Sequence, residues 1–169
     1  LMKRSPSRLC LECHEEVIGE LNLLSRHDPA QRDCTLCHRA HGLSSQALIA
    51  GDRRGLCLGC HEEQSGELGM ENLHPPFEDG DCLDCHRPHG SNFEKLTTAH
   101  RFDLCAQCHD EAEVWLRQTS AHVPIKTGDC NACHSPHASD TGGLLKTEAN
   151  QLCLGCHQEQ LEKSGDIVH

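Results

Sequence analysis

A chain of 169 residues with a formal net charge of −11, whose Lys and Arg gather into no patch, is excluded as a nucleic-acid-binding protein. Tyr is absent and aromatic residues make up 2 %, against 14 Cys and 15 His, so the polypeptide has little of its own to build a core from. No stretch reaches the roughly 18–20 apolar residues of a membrane span.

Read in chain order, the first predicted helix covers Leu9–Glu20, with Leu and Val on one side and Glu on the other, and opens on Cys10-Leu11-Glu12-Cys13-His14. His27-Asp28-Pro29 then leads through Arg32-Asp33 to Cys34, Cys37 and His38, and His41-Gly42 follows. The order repeats. A helix over Leu56–Met70 carries Cys57, Cys60 and His61. Next come His74-Pro75-Pro76, Gly80-Asp81, then Cys82, Cys85 and His86, and His89-Gly90. A helix over Leu104–Gln118 carries Cys105, Cys108 and His109, before His122-Val123-Pro124, Gly128-Asp129, then Cys130, Cys133 and His134, and His137-Ala138. A last helix over Leu152–Lys163 carries Cys153, Cys156 and His157, and the sequence closes on His169. Pro in the segments between is expected to break helices and hold the chain extended or turned, and Gly to permit tight reversals. Strand alternation is nowhere convincing. The fold expected is mainly irregular, with short α-helices.

Every cysteine therefore belongs to a C-x-x-C-H unit, and there are seven such units with none left over. C-x-x-C-H is the attachment signature of c-type haem. Two thiols three residues apart can add to the two vinyl groups on one edge of a porphyrin, which brings the next residue, His, beneath the ring as proximal iron ligand. Zinc coordination accounts for paired C-x-x-C units but not for a histidine after all seven. A disulfide framework needs no histidine there either, and C-x-x-C bridges are usually redox-active.

The units form an internal repeat. Cys10, Cys57, Cys105 and Cys153 lie 47, 48 and 48 residues apart, and Cys34, Cys82 and Cys130 lie 48 and 48 apart. We call these the first-position and second-position motifs. The period of about 48 residues holds two haem motifs, giving a single elongated array of three and a half repeats over approximately 1–50, 51–98, 99–146 and 147–169. Outside the motifs, His27, His74, His122 and His169 recur at 47, 48 and 47, and His41, His89 and His137 at 48 and 48. These seven match seven irons as distal ligands, to pair with the proximal His14, His38, His61, His86, His109, His134 and His157. His100 has no counterpart, since Ser5, Asp52 and Glu148 stand in its place. Met2 and Met70 are not periodic and are read as ordinary side chains. Bis-histidine iron has no open position, and its chemistry is to gain or lose one electron.

Which distal histidine serves which iron is less direct. Three residues at about 3.3–3.6 Å each cannot carry His41 round to the far side of the iron held by His38. His41, His89 and His137 must then reach neighbouring haems, forward or backward along the chain. His27, His74 and His122 most simply serve the motifs that follow them directly, at Cys34, Cys82 and Cys130. If His41, His89 and His137 reach forward, to the haems of the third, fifth and seventh motifs, His169 is left over to complete the first haem of a second copy, making a head-to-tail filament; if backward, to those of the first, third and fifth, His169 caps the site of His157 in its own chain; or it belongs to a repeat continuing further.

The pattern H-x-P, then C-x-x-C-H-x-x-H-G, then Leu-Cys-x-x-Cys-His resembles the doubled C-x-x-C-H multihaem cytochromes across essentially the whole chain. Arg32 in place of Gly and Ala138 in place of Gly depart from it without touching a ligand. The resemblance implies seven covalent haem c groups forming the core and long-range electron transfer between redox proteins or to extracellular acceptors. It also implies export to the periplasm or cell exterior. The start Leu1-Met2-Lys3-Arg4-Ser5-Pro6 lacks the apolar segment of a signal peptide, as expected of a mature or trimmed chain. An enzyme is not expected. The alternative, a multihaem reductase, needs one iron with an open face and acid–base groups above it.

Overall fold

The computed structural model describes residues 6–41 and 48–159. The first three predicted helices are each divided in two around the histidine of the motif. The first stretch becomes α1 (Pro6–Leu11) and α2 (Glu15–Leu21), because His14 takes φ −102° and ψ 62°, which no helix continues. Strand β1 (Ser25–Arg26), helix α3 (Asp28–Arg32) and a 3-10 turn over Cys34–Leu36 follow. The second stretch divides at His61 (φ −94°, ψ 71°) into α4 (Arg53–Leu58) and α5 (Glu62–Glu67). Then come β2 (Asn72–Leu73), α6 (Pro75–Glu78), α7 (Cys82–Cys85), β3 (Gly90–Ser91) and a 3-10 turn over Glu94–Leu96. The third stretch gives α8 (Arg101–Ala106) and α9 (Glu111–Leu116), followed by α10 (Val123–Lys126), a 3-10 turn over Cys130–Ala132, β4 (Ala138–Ser139) and a turn over Gly142–Leu144. Helix α11 (Ala149–Cys156) ends at His157 (φ −103°, ψ 52°), and the predicted continuation beyond 159 lies outside the described residues.

Two expectations are corrected. Pro29, Pro75 and Pro124 do not break helices. Each stands in the first turn of one (α3, α6, α10), where the missing N–H costs nothing and the fixed φ suits the helix. Strands also exist, although each is two residues long. β1 pairs antiparallel with β3, Ser25 opposite Ser91 and Arg26 opposite Gly90. β2 pairs in the same way with β4, Asn72 opposite Ser139 and Leu73 opposite Ala138. Each ribbon thus joins one repeat to the next.

These ribbons hold most of what little is buried. Among the described residues the buried side chains are Ala138, Ser139, Ser91 and Ala112. Ser91 Oγ donates to the Thr97 carbonyl at 2.5 Å, and Ser139 Oγ donates to the Leu145 carbonyl, stapling each ribbon to the turn that follows it. Gly90 has a steric reason: a Cβ there would come within 2.1 Å of the Glu20 carbonyl oxygen, so its bare backbone lets α2 pack on the ribbon. Ala138 occupies the equivalent place in the second ribbon, its methyl enclosed at 1 % exposure.

Candidate haem-ligand pairs

The approach to each second-position motif is organised by an aspartate. Asp33 accepts hydrogen bonds from the backbone N–H and the hydroxyl of Thr35, at 2.9 and 2.7 Å, which hold its carboxyl below the usual carboxylate range. Asp81 closes a capping box with Asp84 at the start of α7 and pairs with Arg53 of α4. Asp129 pairs with Arg101 of α8 at 2.6 Å. In the second and third repeats the short turn carrying two cysteines is thereby fixed against the helix that carries the neighbouring first-position motif.

The thiols follow the same order. None of the fourteen cysteines is paired in a disulfide. Within a repeat, Cys10 lies beside Cys34, Cys57 beside Cys82 and Cys105 beside Cys130. Between repeats, Cys37 neighbours Cys60 and Cys85 neighbours Cys108. Burial, helped by the Cys82 and Cys130 thiols, pushes Cys57 and Cys105 up to about 11. The first six motifs are therefore adjacent in space in the order in which they occur in sequence.

The histidines face one another in twos. His27 faces His61 with ring centres 6.1 Å apart, His74 faces His109 at 6.2 Å and His122 faces His157 at 5.8 Å. His89 faces His38 at 6.1 Å and His137 faces His86 at 6.2 Å. Two imidazoles bracketing one metal ion, with bonds of about 2.0–2.1 Å, place their ring centres roughly 6 Å apart. In the closest pair the Nε2 atoms of His122 and His157 are 3.5 Å apart. Each pair joins one proximal-type to one distal-type histidine, so ten of the predicted ligands come together as five pairs.

The partners differ from the simplest sequence expectation. His27, His74 and His122 pass over the motifs that directly follow them and face His61, His109 and His157. His89 and His137 reach backward, to the second-position motif one repeat earlier. They leave untouched the neighbour between. The ribbons explain both directions. His27 N–H donates to the His89 carbonyl at 3.2 Å, and His74 N–H to the His137 carbonyl at 2.8 Å, so each ribbon ends in two histidines. One serves the repeat ahead and the other the repeat behind. His122 faces His157, and the expectation for His169 lies outside the described residues. Among the described residues, no imidazole faces His14, His134 or His41, and His100 caps α8 through its backbone alone.

Backbone and side-chain acceptors fix the rings. His27 Nδ1–H donates to the Pro88 carbonyl (2.8 Å) and His74 Nδ1–H to the Pro136 carbonyl (2.9 Å). His86 donates to the Lys95 carbonyl (2.9 Å) and His134 to the Gly143 carbonyl (2.8 Å). His89 instead donates to the Glu20 carboxylate (2.6 Å) and His137 to Glu67 (3.0 Å). Since these oxygens only accept, the proton resides on Nδ1 and Nε2 keeps its lone pair for a metal. Burial holds His74 and His86 below the usual histidine range, which favours the neutral, ligating form. Glu20 and Glu67 were not singled out from sequence. Their separation of 47 residues, equal to that of His27 and His74, was the available signal.

The residues fit haem c. Paired thiols stand next to each proximal histidine, the facing imidazoles have ring centres about 6 Å apart, and exposed Leu9, Leu36, Val123 and Ile125 offer apolar surface beside the motifs for a macrocycle to cover. Among the described residues no three His, Cys, Asp or Glu side chains converge as a closed zinc site requires.

No curated protein matches the chain. The doubled CXXCH motif matches it three times, over 27–66, 74–114 and 122–162. Each match begins at or beside a distal-type histidine (His27, His74, His122) and includes the proximal histidine that it faces (His61, His109, His157). With most of its length matched in register with its own facing histidine pairs, the chain belongs to the doubled CXXCH motif family of multihaem c-type cytochromes.

Proposed function

We propose that the chain carries electrons over long distances through seven bis-histidine haem c groups, one per C-x-x-C-H unit, and is not an enzyme. The observation that carries this reading is the set of five facing histidine pairs. When bound, haem c supplies a reversible one-electron iron couple. The cysteines would tether it, the proximal and distal histidines would hold its iron, and the carbonyls of Pro88, Pro136 and Lys95 keep the rings oriented. The contacts between successive thiol pairs favour a continuous path in chain order, with the porphyrins making up the core of each two-motif repeat. Thioether attachment of haem belongs outside the cytoplasmic membrane, so the protein is read as periplasmic or extracellular. Among the described residues no helix is long and apolar enough to cross a membrane. The net charge of −11 suits docking to a basic redox partner.

The pairing rule also favours assembly. By that rule the site of His14 would take a His27-type ligand from a preceding repeat, and the site of His134 a His41-type ligand from a following one. Of the distal-type histidines, His41 is faced by no described imidazole and His169 lies outside the described residues. In the head-to-tail homopolymer we propose, His169 of one copy completes the site of His14 in the next, and His41 of that second copy completes the site of His134 in the first. A second reading is favoured by the same observation: either site, left open, would be the substrate position of a reductase.

Pyridine haemochrome assay with intact mass is expected to give seven haems per chain that survive denaturation. Particle size and electron paramagnetic resonance then decide between the readings. Polymers with low-spin iron throughout, which fall apart with new high-spin signal in His41→Ala, support the wire. Wild-type monomers with two high-spin haems that bind nitrite or hydroxylamine support the reductase.

A further inference from the structure

The distal histidines divide into two chemical classes that alternate along the chain. Those facing first-position motifs, His27 and His74, donate Nδ1–H to neutral carbonyls, Pro88 at 2.8 Å and Pro136 at 2.9 Å. Those facing second-position motifs, His89 and His137, donate to carboxylates, Glu20 at 2.6 Å and Glu67 at 3.0 Å. Glu20 belongs to α2 and Glu67 to the end of α5, so the carboxylates come from the helices that follow the proximal histidines His14 and His61. The register is structural: Gly90, bare where a Cβ would strike the Glu20 carbonyl at 2.1 Å, lets α2 bring its carboxylate to His89. Glu67 approaches His137, which is also stacked on Phe77 at 4.7 Å. The position equivalent to Glu67 in the next repeat is Trp115, half-exposed and without charge.

We propose that Glu20 and Glu67 are positioning residues that tune the wire. Through His89 and His137 they hold the Cys34/Cys37 and Cys82/Cys85 sites at lower reduction potential than the Cys57/Cys60 and Cys105/Cys108 sites. A carboxylate accepting from Nδ1–H draws the proton toward itself and makes Nε2 a stronger donor, and its negative charge favours the more positive, oxidised iron. A carbonyl does the first weakly and the second not at all. Each site still exchanges one electron. Potential then alternates along the chain, and a travelling electron passes from a higher site over a lower one to the next higher one. The two carboxylates are not equal. The Glu67 side chain is 22 % exposed and that of Glu20 is 51 %, while both histidines are 27 % exposed, so solvent screens Glu20 more and Glu67 has the larger effect.

This inference rests on the haem-binding reading above, and the test separates the two. Glu20→Gln, Glu67→Gln and the double variant, each keeping a carbonyl oxygen to accept from Nδ1–H, are titrated spectroelectrochemically as intact holoproteins against wild type. Glu67→Gln is expected to shift the reduction equilibrium of one haem at least tenfold toward the reduced form, about 59 mV for one electron. Glu20→Gln shifts a different haem by less, and the double variant shows both shifts independently. Low-spin paramagnetic resonance signals are retained throughout, which separates tuning from loss of the ligand. A double variant that stays low-spin and titrates as wild type overturns the proposal. So does a high-spin Glu67→Gln beside an unshifted, low-spin Glu20→Gln, since the glutamates then act only as props. A wild-type protein without covalent haem overturns the underlying reading instead.

Discussion

Leu48, Leu96 and Leu144 share one position in three repeats, and all three are left-handed, with φ of 53°, 60° and 57°. An L side chain in that region costs roughly 1–2 kcal/mol. The residues before the second and third, Lys95 and Gly143, are left-handed too, and their carbonyls are the acceptors that hold His86 and His134. The strained turn thus aims an oxygen at a ligand histidine, and its recurrence marks it as functional. Glycine already fills this place in one repeat, so Lys95→Gly is expected to raise stability by about 0.5–1 kcal/mol, the relieved strain less the added chain entropy. Thermal unfolding of the holoprotein checks this, and a lowered midpoint would contradict it. At this scale the C-x-x-C-H units were legible, because haem attachment demands those residue types at that spacing. Glu20 and Glu67 were not, since a carboxylate on the polar face of a helix reads as ordinary solvation.

Short elements hid what periodicity could not reveal. A strand of two residues has no alternation, so β1 and β3 left no signature, although Ser91 and Ser139 recur 48 residues apart and anchor both ribbons. The helices were legible but their interruption was not, because the amphipathic pattern continues through His14 and His61 while the backbone leaves the helix there to turn the imidazole. The ribbon's close packing gives a prediction at this scale. Gly90→Val places a branched side chain where even a Cβ would meet the Glu20 carbonyl at 2.1 Å. It should destabilise the holoprotein by about 1–3 kcal/mol, as overpacking does, and draw His89 away from the Cys34/Cys37 site. The readout is one haem converted from low to high spin, and a variant that stays wholly low-spin argues that the ribbon does not place that ligand.

For the whole molecule, the period and the motif count were legible, but the pairing of histidines was not. His27 lies 11 residues from His38 and 34 from His61, yet it faces the farther ring. Sequence distance favours the near partner because closing a short loop costs less entropy. The ribbon overrides this by fixing His27 to a strand of the following repeat. The described chain buries very few side chains of its own, while Leu24 is 84 % exposed and Val123 69 %. On the haem-binding reading proposed above, its folding energy comes largely from the cofactors. Haem-free chain, made with Ser at all fourteen cysteines, is therefore expected to be largely disordered by far-ultraviolet circular dichroism. A cooperative thermal transition in that variant would show that the polypeptide folds alone.

The two ribbons have a mechanical consequence. One clasps residues 25–26 to 90–91 and the other 72–73 to 138–139, so the second clasp opens before the first has closed. The loops they define overlap like links of a chain. Tension applied at the ends cannot draw out one repeat alone: it loads both clasps in series, each ending in two of the facing histidines. Such a cable would hold its internal spacing until a clasp gave way, and would then lengthen abruptly rather than stretch.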